Sequence, residues 1–331
     1  MSSMRRVVKT LVPRGLFRII EPYGHLAEAV IMNVRYGFPA RGLHVIGVTG
    51  TNGKTTTSFM IHRMLVEAGY AAALMSTVAY GVGRDITPQA QHMTTLSSPD
   101  LLRKIKAFRK QGATWLVLET TSHALAQHRV WGVPYEVAVM TNVTHEHLDY
   151  HRTFENYVKA KARLFKVANR HGRRFGVVNA DDPSAPVFAD AIRRHVSYGI
   201  NAGDLRASDV RLSGEGSSYK VALNNTMFEV AVRIPGEFNV YNSLAALAVG
   251  LELGLKPNQA IAGIGALEGV EGRMATVDAG QPFSVIIDFA HTPDSFERLL
   301  GDLRKSTKGK LVVLFGSAGR RDESKRAIQG E

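Results

Sequence analysis

Residues 43–56 read LHVIGVTGTNGKTT, and their order predicts a buried strand, a glycine-rich turn and a helix start. The apolar run has the length of a strand covered on both faces. Gly47, Gly50 and Gly53 let the backbone turn tightly enough for N–H groups to point at phosphate oxygens. A helix opening at Lys54 adds the positive end of its dipole. Lys54 is placed to hold β- and γ-phosphates, and Thr55 to offer a hydroxyl to Mg²⁺. The spacing Gly47-x-x-Gly50-x-x-Gly53-Lys54-Thr55 departs from GxxxxGK[ST], because Val48 stands at its first glycine. An ordinary glycine-rich turn is the competing reading. The strand before it, the helix after it and the Lys-Thr pair favour nucleotide phosphate, contacted by Gly50, Thr51, Asn52, Gly53, Lys54, Thr55 and Thr56.

Outward from this stretch, short apolar runs alternate with helical patterns. The runs are AAALMSTV (71–78), TWLVLET (114–120), YEVAVMTN (135–142) and RFGVVN (174–179); helical periodicity fills 98–112 and 154–170. That alternation predicts a mostly parallel α/β sheet. Residues 209–234 instead alternate in short strands joined by turns, and predict an antiparallel edge. Helices are expected at about 239–254 and 257–267. Near Gly272 a new unit begins, with FSVIIDFA (283–290), a helix from Pro293 and GKLVVLFG (309–316), read as β-α-β. The expected fold is therefore α/β: a P-loop NTPase-like central domain at 43–272, then an incomplete Rossmann-like domain at 273–331. Residues 1–42 form a basic segment with seven Lys/Arg against Glu21 and Glu28. Leu26, Val30 and Val34 recur at helical spacing there, predicting an amphipathic helix packed on the next domain, with a membrane-surface helix as the alternative.

Composition narrows the classes. Of 331 residues, 45% are hydrophobic and 21% charged, which excludes a disordered chain. The absence of cysteine removes disulfides, thiolate metal sites and a cysteine nucleophile, and fits a cytoplasmic chain. No apolar run approaches a membrane span. Net charge of +12 points to acidic partners, nucleotides among them. A nucleic-acid binder fits that charge, but none of its motifs is present.

Glu119 ends an apolar strand, where ligands bind in parallel α/β sheets, and is a natural Mg²⁺ ligand beside a phosphate loop. His145, His147 and His151 in TNVTHEHLDYH invite a zinc reading, disfavoured without cysteine and beside Mg²⁺-nucleotide chemistry. Lys159 and Lys161 lie on the next helix. Taken alone, each reads as a solvated charge, and nothing in spacing singles out Lys161.

Seven motifs occur in an order that resembles the Mur ligases: GVTGTNGKTTT, ETTSHALAQHRV, TNVTHEHLDYH, NYVKAKARLF, GEFNVYNSLAAL, EGRM and DFAHTPDS. Within that family the chain looks most like the UDP-N-acetylmuramoyl-tripeptide synthetases, which extend the peptidoglycan stem peptide. The resemblance covers residues 43–331. It implies an ATP-dependent ligase acting on a UDP-N-acetylmuramoyl dipeptide and an amino acid through an acyl phosphate, as a cytoplasmic monomer. It assigns Lys54 and Thr55 to the γ-phosphate and first Mg²⁺, and Glu119 and His147 to Mg²⁺. It makes Lys161 a carbamylated lysine completing a second Mg²⁺ site. Thr94, Thr95, Thr121, Gln127 and Arg129 match substrate contacts. Asn239 and Asn242 match residues near adenine, and Arg273 and Asp288 residues near the ATP ribose and phosphates.

The chain departs from the family at Thr121, where Ser is usual, at Glu146 for Asp and at Arg152 for Gly. Ala318 and Arg320 also stand in FGSAGRRD where the family has Gly and Asp. The stretch before residue 43 is short for a uridine-binding domain, and the last domain reads as cut short. A poor ligase on its own is therefore the expectation for this chain. A folylpolyglutamate synthase-like ligase, a P-loop kinase or simple ATPase, and a non-catalytic ATP-binding module are the competing readings.

Overall fold

The computed structural model describes residues 14–91, 93–224, 226–291, 293–316 and 325–330. After helix α1 (Arg14–Tyr36) the chain enters β1 (His44–Thr49), turns through the glycine-rich loop and rises as α2 (Lys54–Glu67). Strands β2 (Ala72–Met75), β3 (Ala79–Val82) and β4 (Asp85–Pro88) follow, then α3 (Ser98–Lys110), β5 (Trp115–Glu119), α4 (Ser122–Ala126), β6 (Tyr135–Met140) and α5 (Leu148–His151). The next elements are α6 (Phe154–Ala168), β7 (Phe175–Asn179), α7 (Ala185–Ala189), β8 (Arg194–Gly199), β9 (Leu205–Ser213), β10 (Gly216–Leu223), β11 (Thr226–Val232), α8 (Glu237–Glu252) and α9 (Pro257–Gly265).

The strands form one sheet ordered β11-β10-β9-β8-β7-β6-β1-β5-β2-β3-β4. Its middle, from β9 to β2, is parallel. The β9–β11 meander is antiparallel, as the alternating pattern predicts. The other end is antiparallel too, through β2–β3–β4, an edge the apolar run at 71–78 does not disclose. β1 is central and flanked by β5 and β6, so five of its six residues are buried, and its apolar run is continuous rather than alternating.

Two apolar layers cover the sheet. On one face α2, α8 and α9 contribute Met60, Met64, Leu244, Val249 and Ile264; on the other α3 and α6 contribute Leu101, Phe108, Leu164 and Phe165. Gly47 lies where β1 meets α6. A Cβ there would stand 2.7 Å from both Leu164 and Tyr135, so the missing side chain lets the helix seat directly on the strand.

A separate two-stranded sheet pairs β12 (Ala275–Val277) with β13 (Val285–Ile287), antiparallel, followed by α10 (Pro293–Ser306) and α11 (Lys325–Gly330). This corrects the expected β-α-β unit, because residues 311–316 lie in no strand. Among the described residues no neighbouring backbone accepts their ladder hydrogen bonds, and Val312 and Leu314 are 85% and 100% exposed. Ala318 and Arg320 lie outside the described residues.

α1 also differs from its expected form. It packs on α3, but Leu26 and Val30 are only half-buried and Val34 is exposed. The inward positions are His25, Glu28, Ala29 and Asn33. Asn33 decides the orientation: its side-chain amide donates to the carbonyls of Ala29 and Trp131, each at 2.9 Å.

Candidate functional site

A cleft of about 1290 Å³ opens at the carboxyl ends of β1, β5 and β6, bounded on its far side by the segment around β12, β13 and α10. The loop leaving β1 forms its floor. Gly53 caps α2 with φ 80°, a left-handed conformation that glycine adopts without steric cost. A Cβ on Gly53 would come within 2.4 Å of the Asn242 carbonyl oxygen, so α8 presses against the loop. Asn242 is held there, accepting from the Thr57 hydroxyl at 3.1 Å and donating to Asn239 at 2.9 Å.

Lys54 Nζ curls back to donate to the Thr51 carbonyl at 2.6 Å. Burial lowers its pKa; Glu119 and Glu146 oppose that, and Arg273 adds to it. The Thr55 hydroxyl lies 3.1 and 3.2 Å from the two oxygens of Glu119. Glu119 also accepts from the Thr77 backbone at 2.9 Å and the Thr77 hydroxyl at 3.0 Å, and is 1% exposed. It is a fixed, inward carboxylate. Arg273, two residues before β12, reaches across, its guanidinium donating to Thr55 Oγ1 at 3.2 Å and lying over the Phe289 ring. Among the described residues its buried Nε has no hydrogen-bond partner, which leaves the cation with capacity for an anion in the cleft.

Lys161, expected from its helical context to be solvated, is instead 2% exposed. Its Nζ donates to the Gly50 carbonyl at 2.5 Å and lies 4.4 Å from the Tyr157 ring centre. Burial, aided by the Lys54 charge, lowers its pKa well below the lysine range, against Glu146 and Glu119. The amine is thus biased toward its neutral, nucleophilic form. No helical periodicity reports this, because the side chain reaches inward beneath a loop 111 residues away.

His147 caps α5 with φ 56°, uncommon for a residue with a side chain. Burial lowers its imidazole pKa and Glu146 opposes the shift. His123, edge-on at 4.6 Å, is pushed down to about 4, chiefly by burial. Burial alone would raise the Glu146 carboxyl; the hydrogen bond from His291 and the charges of His147 and Lys54 bring it down to about 2. That His291–Glu146 contact, at 3.0 Å, is a second link across the cleft. The three histidines of the 145–151 run do not converge: His145 stacks on Phe154 and His151 bonds Ser122. Among the described residues no three His, Asp or Glu side chains are grouped to hold a metal unaided. The oxygen donors Thr55 and Glu119 suit Mg²⁺ shared with phosphate oxygens.

Thr51, Asn52, Gly53, Lys54, Thr55, Thr56, Glu119, His147, Asn239, Asn242, Arg273 and Asp288 all line the cleft, as do Thr94 and Thr121. Gly50, Thr95, Gln127, Arg129 and Lys161 are not among the residues that line it. Arg129 donates to the carbonyls of Thr95 and Leu96, at 2.5 and 3.4 Å, and so braces the segment carrying Thr94. The Thr121 hydroxyl caps α4 by accepting from Ala124 N at 3.2 Å. Sequence reasoning did not reach Thr77, Asn142 or Tyr241. Asn142 accepts from Asn52 N at 2.9 Å, and its place just after β6 is the signal that could have marked it.

Comparisons with known proteins give the family and the fold. Residues 48–250 match the family described as the Mur ligase middle domain, and residues 272–331 the Mur ligase glutamate ligase domain. A UDP-N-acetylmuramyl-tripeptide synthetase of Roseiflexus sp. is 38% identical over 97% of this chain and 65% of its own length. A solved UDP-N-acetylmuramoyl-L-alanyl-D-glutamate–2,6-diaminopimelate ligase superposes with TM-score 0.73 at 30% identity, covering 94% of this chain and 63% of that one. A folylpolyglutamate synthase structure from L. casei shares the fold at 17% identity, TM-score 0.69, covering 87% of this chain and 78% of that one. The chain thus spans a little under two thirds of the tripeptide-synthetase and diaminopimelate-ligase relatives.

Proposed function

The chain belongs to the Mur ligase family, and from that premise we propose that it joins a UDP-N-acetylmuramoyl dipeptide to an amino acid at the expense of ATP. The observation that carries the reading is Lys161. A phosphate loop serves any ATPase, whereas a buried amine poised beneath that loop at Gly50 has no part in simple hydrolysis.

In this reading Lys54 leaves the Thr51 carbonyl for the β- and γ-phosphates, and the loop N–H groups at the start of α2 complete the cradle. The γ-phosphoryl group passes to a carboxylate oxygen of the dipeptide and ADP leaves. The incoming amine then attacks the acyl carbon, loses a proton and displaces inorganic phosphate. Thr55, Glu119 and His147 would hold Mg²⁺, which neutralises the charge building on the phosphate oxygens. His147, biased neutral, offers a ring-nitrogen lone pair. The neutral Lys161 amine takes up CO₂: its nitrogen bonds the carbon and one proton leaves, placing a carboxylate beside Lys54 for a second ion.

Asn239, Asn242, Arg273 and Asp288 form the nucleotide side of the cleft in this proposal, and Thr94 and Thr121 the uridine-peptide side. Thr95, Gln127 and Arg129 belong to the latter side in this proposal, Arg129 bracing the Thr95 carbonyl. Residues 43–272 act as the ATP-binding domain and 273–331 as part of the C-terminal domain, in a cytoplasmic monomer. Among the described residues no helix is long and apolar enough to cross a membrane.

The test is ADP formation from Mg-ATP, with and without the UDP-muramoyl dipeptide, a folate substrate and a panel of amino acids, with products read by mass spectrometry. Dipeptide-dependent ADP release that an amino acid accelerates supports the reading. Release indifferent to both substrates identifies a simple ATPase, and release stimulated by the folate alone identifies the rival ligase. Lys161→Ala should retain ADP binding and lose the dipeptide-dependent rate, with partial rescue by a short carboxylate.

A further inference from the structure

α1 carries its polar residues inward and its apolar ones outward. His25, Glu28 and Asn33 are 9%, 7% and 0% exposed, while Ile20, Tyr23, Ile31 and Val34 are 47%, 68%, 62% and 65% exposed. With exposed Ala27 between them, these residues recur at spacings of three and four and line one outer stripe. From Ile20 to Val34 the stripe runs about 21 Å at the helical rise. A continuous exposed apolar row of this size is the kind of surface that marks an interaction site.

The neighbourhood is cationic. α3, on which α1 packs, exposes Arg103, Lys106, Arg109 and Lys110. Lys106 Nζ stands 5.6 Å from the Tyr36 ring, and Arg109 donates to the Pro39 carbonyl at 3.4 Å, so this basic face adjoins the C-terminal end of α1. An apolar stripe beside a basic face complements a surface that is anionic outside and apolar beneath. Two copies joined through the stripe would set their α3 cations close together, whereas lipid headgroups neutralise them.

We propose that α1, with the basic face of α3, seats the protein on an anionic lipid bilayer, Ile20, Tyr23, Ile31 and Val34 entering the boundary between headgroups and acyl chains. The whole chain is sedimented with phosphatidylcholine vesicles, with and without phosphatidylglycerol. It should bind the anionic vesicles, release them in high salt and ignore the neutral ones. Replacing the four stripe residues by Gln keeps the charge and should weaken binding about tenfold or more. Ile31→Gln with Val34→Gln is the milder variant, and unfolding midpoints verify that both fold. Lys106→Gln with Arg109→Gln and Lys110→Gln should weaken binding while leaving the stripe intact. Undiminished binding by the folded stripe variants overturns the proposal, since charge alone then suffices. So do absence of binding to anionic vesicles, and a concentration-dependent dimer that the stripe variants abolish.

Discussion

Gly53→Ala tests whether α8 and the phosphate loop are fitted to each other. Alanine at φ 80° carries left-handed strain of about 1 kcal/mol. Its Cβ would also meet the Asn242 carbonyl oxygen at 2.4 Å, a contact that cannot persist. Asn242 must then move, and its buried hydrogen bonds with Thr57 and Asn239 go with it. At about 1 kcal/mol each, the total comes to about 3 kcal/mol. Gly254→Ala is the control: φ is 85°, but nothing lies within 4 Å of the new Cβ, so only the strain of about 1 kcal/mol applies. Urea unfolding of both variants should separate them by about 2 kcal/mol, or about 30-fold in the folding constant. ADP binding by calorimetry should weaken in Gly53→Ala alone. Equal destabilisation of the two, with ADP affinity unchanged in both, would refute the close fit of Asn242 against the loop.

Lys54→Met should weaken ADP binding by roughly 10- to 100-fold, the worth of a charged hydrogen bond, with unfolding unchanged; calorimetry measures it. Glu119→Gln should bind ADP alone as the parent does but lose the gain in affinity on adding Mg²⁺, seen in paired titrations. His62, 4% exposed within α2, has its pKa lowered to about 4, chiefly by burial. Because the unfolded chain binds this proton near pH 6.5 and the folded one does not, stability is lost as pH falls from about 6.5 toward 4. Between pH 7 and 5 that amounts to about 2 kcal/mol from this residue, and urea unfolding of His62→Gln should show a correspondingly shallower pH dependence.

The local parts of the site were legible because their chemistry is contiguous. Strand, glycine turn, Lys54 and Thr55 follow one another in 14 residues, and Glu119 is marked by ending an apolar run. What depends on long-range packing was not legible. Lys161 sits on a helix whose period says only which side faces in, and the depth of its burial comes from the loop above it. The orientation of α1 was misread because three apolar residues at helical spacing outweighed Asn33, whose carbonyl partner at Trp131 is 98 positions away. The run at 311–316 has strand composition, yet a strand exists only where another backbone accepts its hydrogen bonds.

Gly47 sets a mechanical tolerance. Leu164, which a Cβ at position 47 would strike, is three residues from Lys161 on the same face of α6. The missing methyl group is therefore a gauge block: it sets how deeply the helix sits on β1, and so how far the Lys161 nitrogen stands from the loop at Gly50. A single added carbon, placed away from every phosphate contact, would have to push aside the Leu164 and Tyr135 side chains on which the helix carrying the amine is seated. The spacing between the Lys161 amine and the phosphate loop is thus tied to packing in the sheet beneath them.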